Sequence, residues 1–121
     1  MNEKEFWGFL EEENKKGRID MVSGTMDGGG PRVSQTSNYI CGHVLLPKDY
    51  DKIPQKTMIE MGKLLFDPSA CSTTKEAILI ILAHQTTKDA LFLLEEYAKN
   101  PDPGLDIFAR LALDECYMWN E

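Results

Sequence analysis

The chain has 121 residues, 42% of them hydrophobic and 27% charged, with a formal net charge of -7. These values suit one globular unit and exclude a chain too poor in apolar residues to fold. The shortage of Lys and Arg argues against phosphate-backbone binding, in which clustered cations gain affinity by displacing counterions.

Most of the acidic excess falls after Pro54, so a basic partner is steered toward that part, although the same charge also serves solubility. The most apolar run, Ala77 to Ala83, is far shorter than the roughly 20 residues a membrane-spanning helix needs. The first ten residues carry acidic groups and do not resemble a secretory signal. Cys41, Cys71 and Cys116 are odd in number and widely spaced, which is no disulfide framework. A cytoplasmic protein with reduced thiols is expected, engaging neither membrane nor nucleic acid.

In chain order, residues 2–16 are rich in Glu and Lys with Phe6, Phe9 and Leu10 at helical spacing, so an amphipathic helix is predicted, ended by Gly17. From Gly17 to Gln55 the helical period disappears. Ser23-Gly24, Asp27-Gly28-Gly29-Gly30-Pro31 and Leu46-Pro47 are turn signals, and a long irregular loop over residues 17–53 is predicted. Arg18 to Val22 and Tyr39 to Leu46 are its candidates for short extended runs. A loop of this length is functional, partly disordered or hiding short strands.

Helical spacing returns after Pro54, predicting a helix over residues 55–66 with Met58, Met61, Leu65, Ile59 and Phe66 on the apolar side and Glu60 and Lys63 in water. Gly62 costs that helix about 1 kcal/mol against Ala, tolerable where a neighbouring helix comes close. Thr73 and Glu76 match a capping box, so the next helix is expected from Thr74 to about His84. Its interior, Ala77 to Ala83, has no polar face and must be buried all round.

Thr86 or Thr87 starts a third helix with Ala90, Leu91, Leu94, Tyr97 and Ala98 on one side and Lys88, Phe92, Glu95 and Lys99 on the other. Asn100-Pro101 ends it. Asp102 as N-cap and Pro103 at the first helical position predict a fourth helix running to about Trp119. Ile107, Phe108, Leu111, Ala112 and Cys116 form its inner side, and Asp106, Arg110 and Asp114 a polar stripe.

The two helix-turn-helix units repeat at about 33 residues, a period of stacked helical hairpins. The run Asn100-Pro101-Asp102-Pro103-Gly104-Leu105-Asp106-Ile107-Phe108-Ala109-Arg110-Leu111-Ala112-Leu113 resembles the turn and second helix of a HEAT repeat. Lys75 to Ala83 is similar in apolar spacing but lacks the Arg. The resemblance implies an all-α chain: an α-α superhelix of about two HEAT-like hairpins (four helices, residues 54–121), an N-terminal helix and a long loop, together one domain over 1–121. It also implies that Asp106 and Arg110 link neighbouring turns, and that the stacked surface serves protein contacts, an inference by analogy. Two such units are fewer than the usual three, so the N-terminal helix, through Phe6, Phe9 and Leu10, and the Ile40 to Leu46 segment are expected to cover the helix at residues 74–84.

Chemistry-bearing groups are sparse. Cys41-Gly42-His43 with Cys71, Cys116 or His84 offers zinc-type donors, but no CxxC pair exists. Cys116 fits a small core residue and His84 a helix end interacting with the dipole. No metal ligand is assigned. Asp27 to Arg32 fits a flexible turn better than an anion site, lacking the Lys-Ser/Thr ending of a phosphate loop. Cys41 near His43 is the only local nucleophile–base pair, with no third group to orient it, so no catalytic residue or cofactor is assigned. The function expected is a small intracellular interaction or scaffold module without catalytic activity, contacting another protein or a second copy of itself through Phe92, Tyr117 and Trp119. The alternative is a small enzyme or ligand-binding protein using the region from Gly17 to Gln55.

Overall fold

A computed structural model of the chain describes residues 1–14, 31–43, 46 and 50–120, with the side chains of 13, 14 and 31–34 excepted. Its helices are α1 (Glu3–Asn14), α2 (Pro31–Gly42), α3 (Gln55–Leu65), α4 (Ser72–Ala83), α5 (Lys88–Lys99) and α6 (Asp106–Trp119), with a 3-10 turn at Tyr50–Lys52. The fold is all-α, and no strand occurs among the described residues.

Asn2 and Glu5 start α1 by a reciprocal cap: the Glu5 amide donates to Asn2 Oδ1 at 2.8 Å and the Asn2 amide to Glu5 Oε1 at 2.9 Å. Helices α3 and α4 pack as one pair and α5 and α6 as another, and α4 touches both members of the second pair. At Gly62 a Cβ would lie 2.9 Å from the Leu93 methyls, so the glycine permits the close approach of α5 that the sequence required of it.

Helix α4 is the centre of the molecule. Every residue from Ala77 to Ala83 is buried, with Ile78, Leu79, Leu82 and Ala83 at 0% exposure. Its cover includes residues before Pro54, as expected. Phe6, Leu10 and Leu46 are buried in the same core and Phe9 packs partly against it. Trp7 Nε1 donates to Thr74 Oγ1 at 3.0 Å. Ile40, however, is half exposed and not part of that core.

Several local expectations are corrected. Part of the 17–53 loop is helix: α2 begins at Pro31, directly after the glycine run, and the extended run proposed at Tyr39 to Leu46 is helical through Gly42. Gly17, the Arg18 to Val22 run and Asp27 to Gly30 lie outside the described residues. The Thr73–Glu76 capping box does not form, because α4 starts two residues earlier with Cys71 as N-cap. There the Glu3 carboxylate of α1 accepts from the Cys71 amide, and that bond lowers the Glu3 pKa.

Helix α6 starts at Asp106 with Leu105 as N-cap, so Asp102 is not the cap. Its carboxylate is spent on Lys75 Nζ at 2.7 Å and on the Tyr97 hydroxyl at 2.6 Å. Lys75 is 3% exposed, so this bond supplies the counter-charge its burial demands. Burial opposes ionisation of Asp102, but the hydrogen bonds from Lys75 and Tyr97 outweigh it and hold the carboxyl below its ordinary range.

Helix α2 is held by a stripe of polar side chains four residues apart. Gln35 Oε1 accepts from the Ile107 and Phe108 amides at 2.8 and 2.9 Å, and its Nε2 donates to Asp106 Oδ1 at 3.0 Å. Gln35 therefore caps α6 from another helix. Arg110 pairs within its own helix, its Nε donating to Asp114 at 3.3 Å. Further along the stripe, Tyr39 and His43 meet Glu115, which places α2 beside α6 in the same direction.

Candidate functional site

The chain has two histidines, and the fold brings both to one carboxylate. His43 follows the last turn of α2, His84 caps the end of α4, and Glu115 lies near the end of α6. His84 Nε2 is 2.7 Å from Glu115 Oε2 and His43 Nε2 is 3.3 Å from Glu115 Oε1. The imidazoles meet edge to face, with ring centres 4.9 Å apart. All three side chains are largely enclosed, at 12%, 8% and 19% exposure for His43, His84 and Glu115.

The surroundings fix each ring. His43 Nδ1 lies 2.7 Å from the Tyr39 carbonyl and His84 Nδ1 2.8 Å from the Ile80 carbonyl, each one helical turn back. The Tyr39 hydroxyl donates to Glu115 Oε1, and Trp119 Nε1 lies 3.4 Å from Oε2. Burial opposes ionisation of Glu115, but hydrogen bonds from His43, His84 and Tyr39 hold its carboxyl far below the ordinary range. Burial likewise opposes the charged form of His43, yet the bonds to Glu115 and to the Tyr39 carbonyl raise its pKa overall. Burial, reinforced by the bond to Glu115, pushes the Tyr39 phenol far up.

His84 and Trp119 also line a cleft of about 320 Å³, together with Tyr50, Ile53, Met58 and Gln85. Gln85 is fixed there by donating to the Tyr50 carbonyl at 2.8 Å and the Ile81 carbonyl at 3.1 Å. The cleft thus combines an apolar wall with one imidazole.

Of the residues singled out in the sequence, Phe92, Tyr117 and Trp119 are all exposed. Tyr117 is tied to α5 through its hydroxyl, which donates to Glu95 Oε2 at 3.0 Å. Trp119 belongs to the cleft, and Phe92 projects from the outer side of α5. Among the zinc-type donors, His43 and His84 come together, but no cysteine joins them. Cys116 is buried, its thiol pushed up to about 11 by that burial, and Cys71 is exposed at the start of α4. His84 ends α4 as its C-cap, as expected, with its ring buried against Glu115. The sequence reading missed Glu115 and Tyr39. Tyr39 and His43 four apart were the available signal, hidden because α2 was taken for a loop.

Compared with known proteins, the chain matches no family model, no curated protein and no solved structure.

Proposed function

We propose that this chain is a small intracellular interaction module that grips a partner protein through the end of α6 and the cleft beside it. The observation that carries this is Trp119, half exposed, standing as a wall of the cleft with Ile53 and Met58, while Tyr117 and Met118 on the same turn face outward. Aromatic and Met side chains around a recess are the composition of interface centres. Asp51 on the cleft wall and Glu95 beside Tyr117, in a chain of net charge -7, favour a partner segment with an apolar anchor flanked by Lys or Arg. Under the same proposal, the HEAT-like character of residues 54–121 supplies a ridged helical surface, and Phe92 extends it along α5.

Affinity capture from the native cell tests this. The wild-type chain is expected to retain a partner that Trp119→Glu loses and that Lys56→Glu on the exposed side of α3 keeps. Failure to retain anything above background, with light scattering showing only monomer, sinks the proposal. A second possibility is that the cleft takes a small ligand, favoured by His84 in its wall. It draws on the region before Gln55, since Tyr50 and Ile53 are wall residues.

A further inference from the structure

The hydrogen bonding at the two histidines fixes which ring nitrogen faces Glu115. A main-chain carbonyl only accepts, so the Tyr39 and Ile80 carbonyls require protons on His43 Nδ1 and His84 Nδ1. Each neutral imidazole then carries its lone pair on Nε2. Both Nε2 atoms face the Glu115 carboxylate, at 3.3 and 2.7 Å, and a carboxylate in its ionised form is also an acceptor only. Two lone pairs and an anion converging in an enclosed space need positive charge among them, either a proton on Nε2 shared with Glu115, as in the contacts described above, or a metal ion in its place.

We propose that His43, His84 and Glu115 bind one divalent first-row transition-metal ion of the Zn2+ type. The donor atoms lie within 4.8 Å of one another, a spacing that closes onto one ion at metal–ligand distances of about 2.0–2.2 Å with small side-chain movement. Two imidazoles and a carboxylate are a donor set of mononuclear zinc and iron sites that keep open coordination positions. The outer contacts are also those such a site needs. Carbonyl acceptors on both Nδ1–H groups hold the rings in the ligating tautomer, and the Tyr39 hydroxyl, which donates to Glu115 Oε1, orients the carboxylate.

Hard cations are disfavoured, because Mg2+ and Ca2+ require about six or more oxygen donors. Thiolate ligation is absent from the grouping: Cys116 Sγ faces the Gln85 carbonyl at 3.6 Å instead. Because His84 lines the cleft, the ion would be reached from solvent through it. The site shares the cleft and its Trp119 wall with the interaction proposal, but requires neither Phe92 nor Tyr117.

The test is calorimetric titration of the full-length, chelator-treated chain with Zn2+, and with Co2+ read by visible absorption. One ion per chain is expected, with no uptake of Mg2+. His43→Gln and His84→Gln should each weaken Zn2+ binding at least about tenfold, whereas Cys41→Ser/Cys71→Ser should leave it unchanged. If those histidine variants do not fold, the wild-type Co2+ spectrum still decides. Visible d–d bands without thiolate charge-transfer absorption support the assignment, and thiolate absorption overturns it. Absence of Zn2+ binding to the wild type, or binding unaffected by both histidine substitutions in folded protein, equally overturns it.

Discussion

Helices α4 and α2 both lie against the centre of the molecule and are held there by opposite chemistries. From Ala77 to Ala83, α4 presents aliphatic surface in every direction and is surrounded by side chains that ask only for volume. Helix α2 instead uses Gln35, Tyr39 and His43, each satisfied by a particular atom of α6. Apolar packing spreads its stabilisation over many weak contacts, whereas a buried polar seam concentrates it in a few bonds that are costly when one partner is lost. A helix of the first kind fixes the fold, and one of the second kind fixes which functional groups face each other.

Leu79→Ala probes the apolar side of the contrast and carries the largest expected effect. Leu79 is fully buried, so lost transfer energy and the residual cavity together should cost about 3 kcal/mol in denaturant unfolding. The loss should be the same at pH 5 and pH 7, since no titrating group is removed. A cost below about 1 kcal/mol would mean that α4 is not enclosed on all sides.

Polar interactions also reach α4 at its edge, and Asp102→Asn measures that contribution. The variant leaves Lys75 buried without its counter-charge. Breaking a buried pair costs about 3–5 kcal/mol, and partial exposure of Asp102 lowers the expected value to about 2 kcal/mol. The pH dependence follows from the lowered Asp102 pKa. A carboxyl depressed on folding stabilises the native state above its unfolded pKa of about 3.9, and that stabilisation is lost as pH falls through the lower folded value. The wild type should therefore lose stability in this acid range more steeply than Asp102→Asn. Parallel acid limbs in the two proteins would remove Asp102 from the account.

The contrast also explains what could be read in advance. Met58, Met61 and Leu65, or Ala77 to Ala83, announce helices because their apolar spacing is what burial selects, and these are buried. Ile59 and Phe66, expected on the same apolar side as the first three, are half exposed. Even the need for cover before Pro54 was legible, from the absence of a polar face on α4. Helix α2 was not legible because its sequence, PRVSQTSNYICG, consists largely of residues that favour turns and caps, and its period is carried by Gln35, Tyr39 and His43. Glu115 was obscured for a related reason. Its neighbours Asp114 and Arg110 form an ordinary exposed pair at helical spacing, and nothing local distinguishes the one carboxylate that turns inward. Thr73 and Glu76 misled because a capping box is a local preference, and the Glu3 carboxylate, from the other end of the chain, supplies the Cys71 amide bond instead.

Gln35→Ala tests the polar seam at the position farthest from the histidines, with the smallest expected effect. Gln35 is buried and accepts from two α6 amides. Truncation to alanine removes that acceptor and opens space that water can enter from the side of exposed Asp106. Replacing a helix cap costs about 0.5–2 kcal/mol, and partial rescue by water places the expected loss near 1 kcal/mol. Hydrogen exchange separates this from general loosening. Exchange at Ile107 and Phe108 should accelerate while amides in the middle of α4 keep their protection, because the jacket around α4 does not depend on this cap. If α4 exchange rose equally, the apolar core and the polar seam would be one cooperative unit. The variant would then be unfolding the molecule as a whole instead of fraying the start of α6.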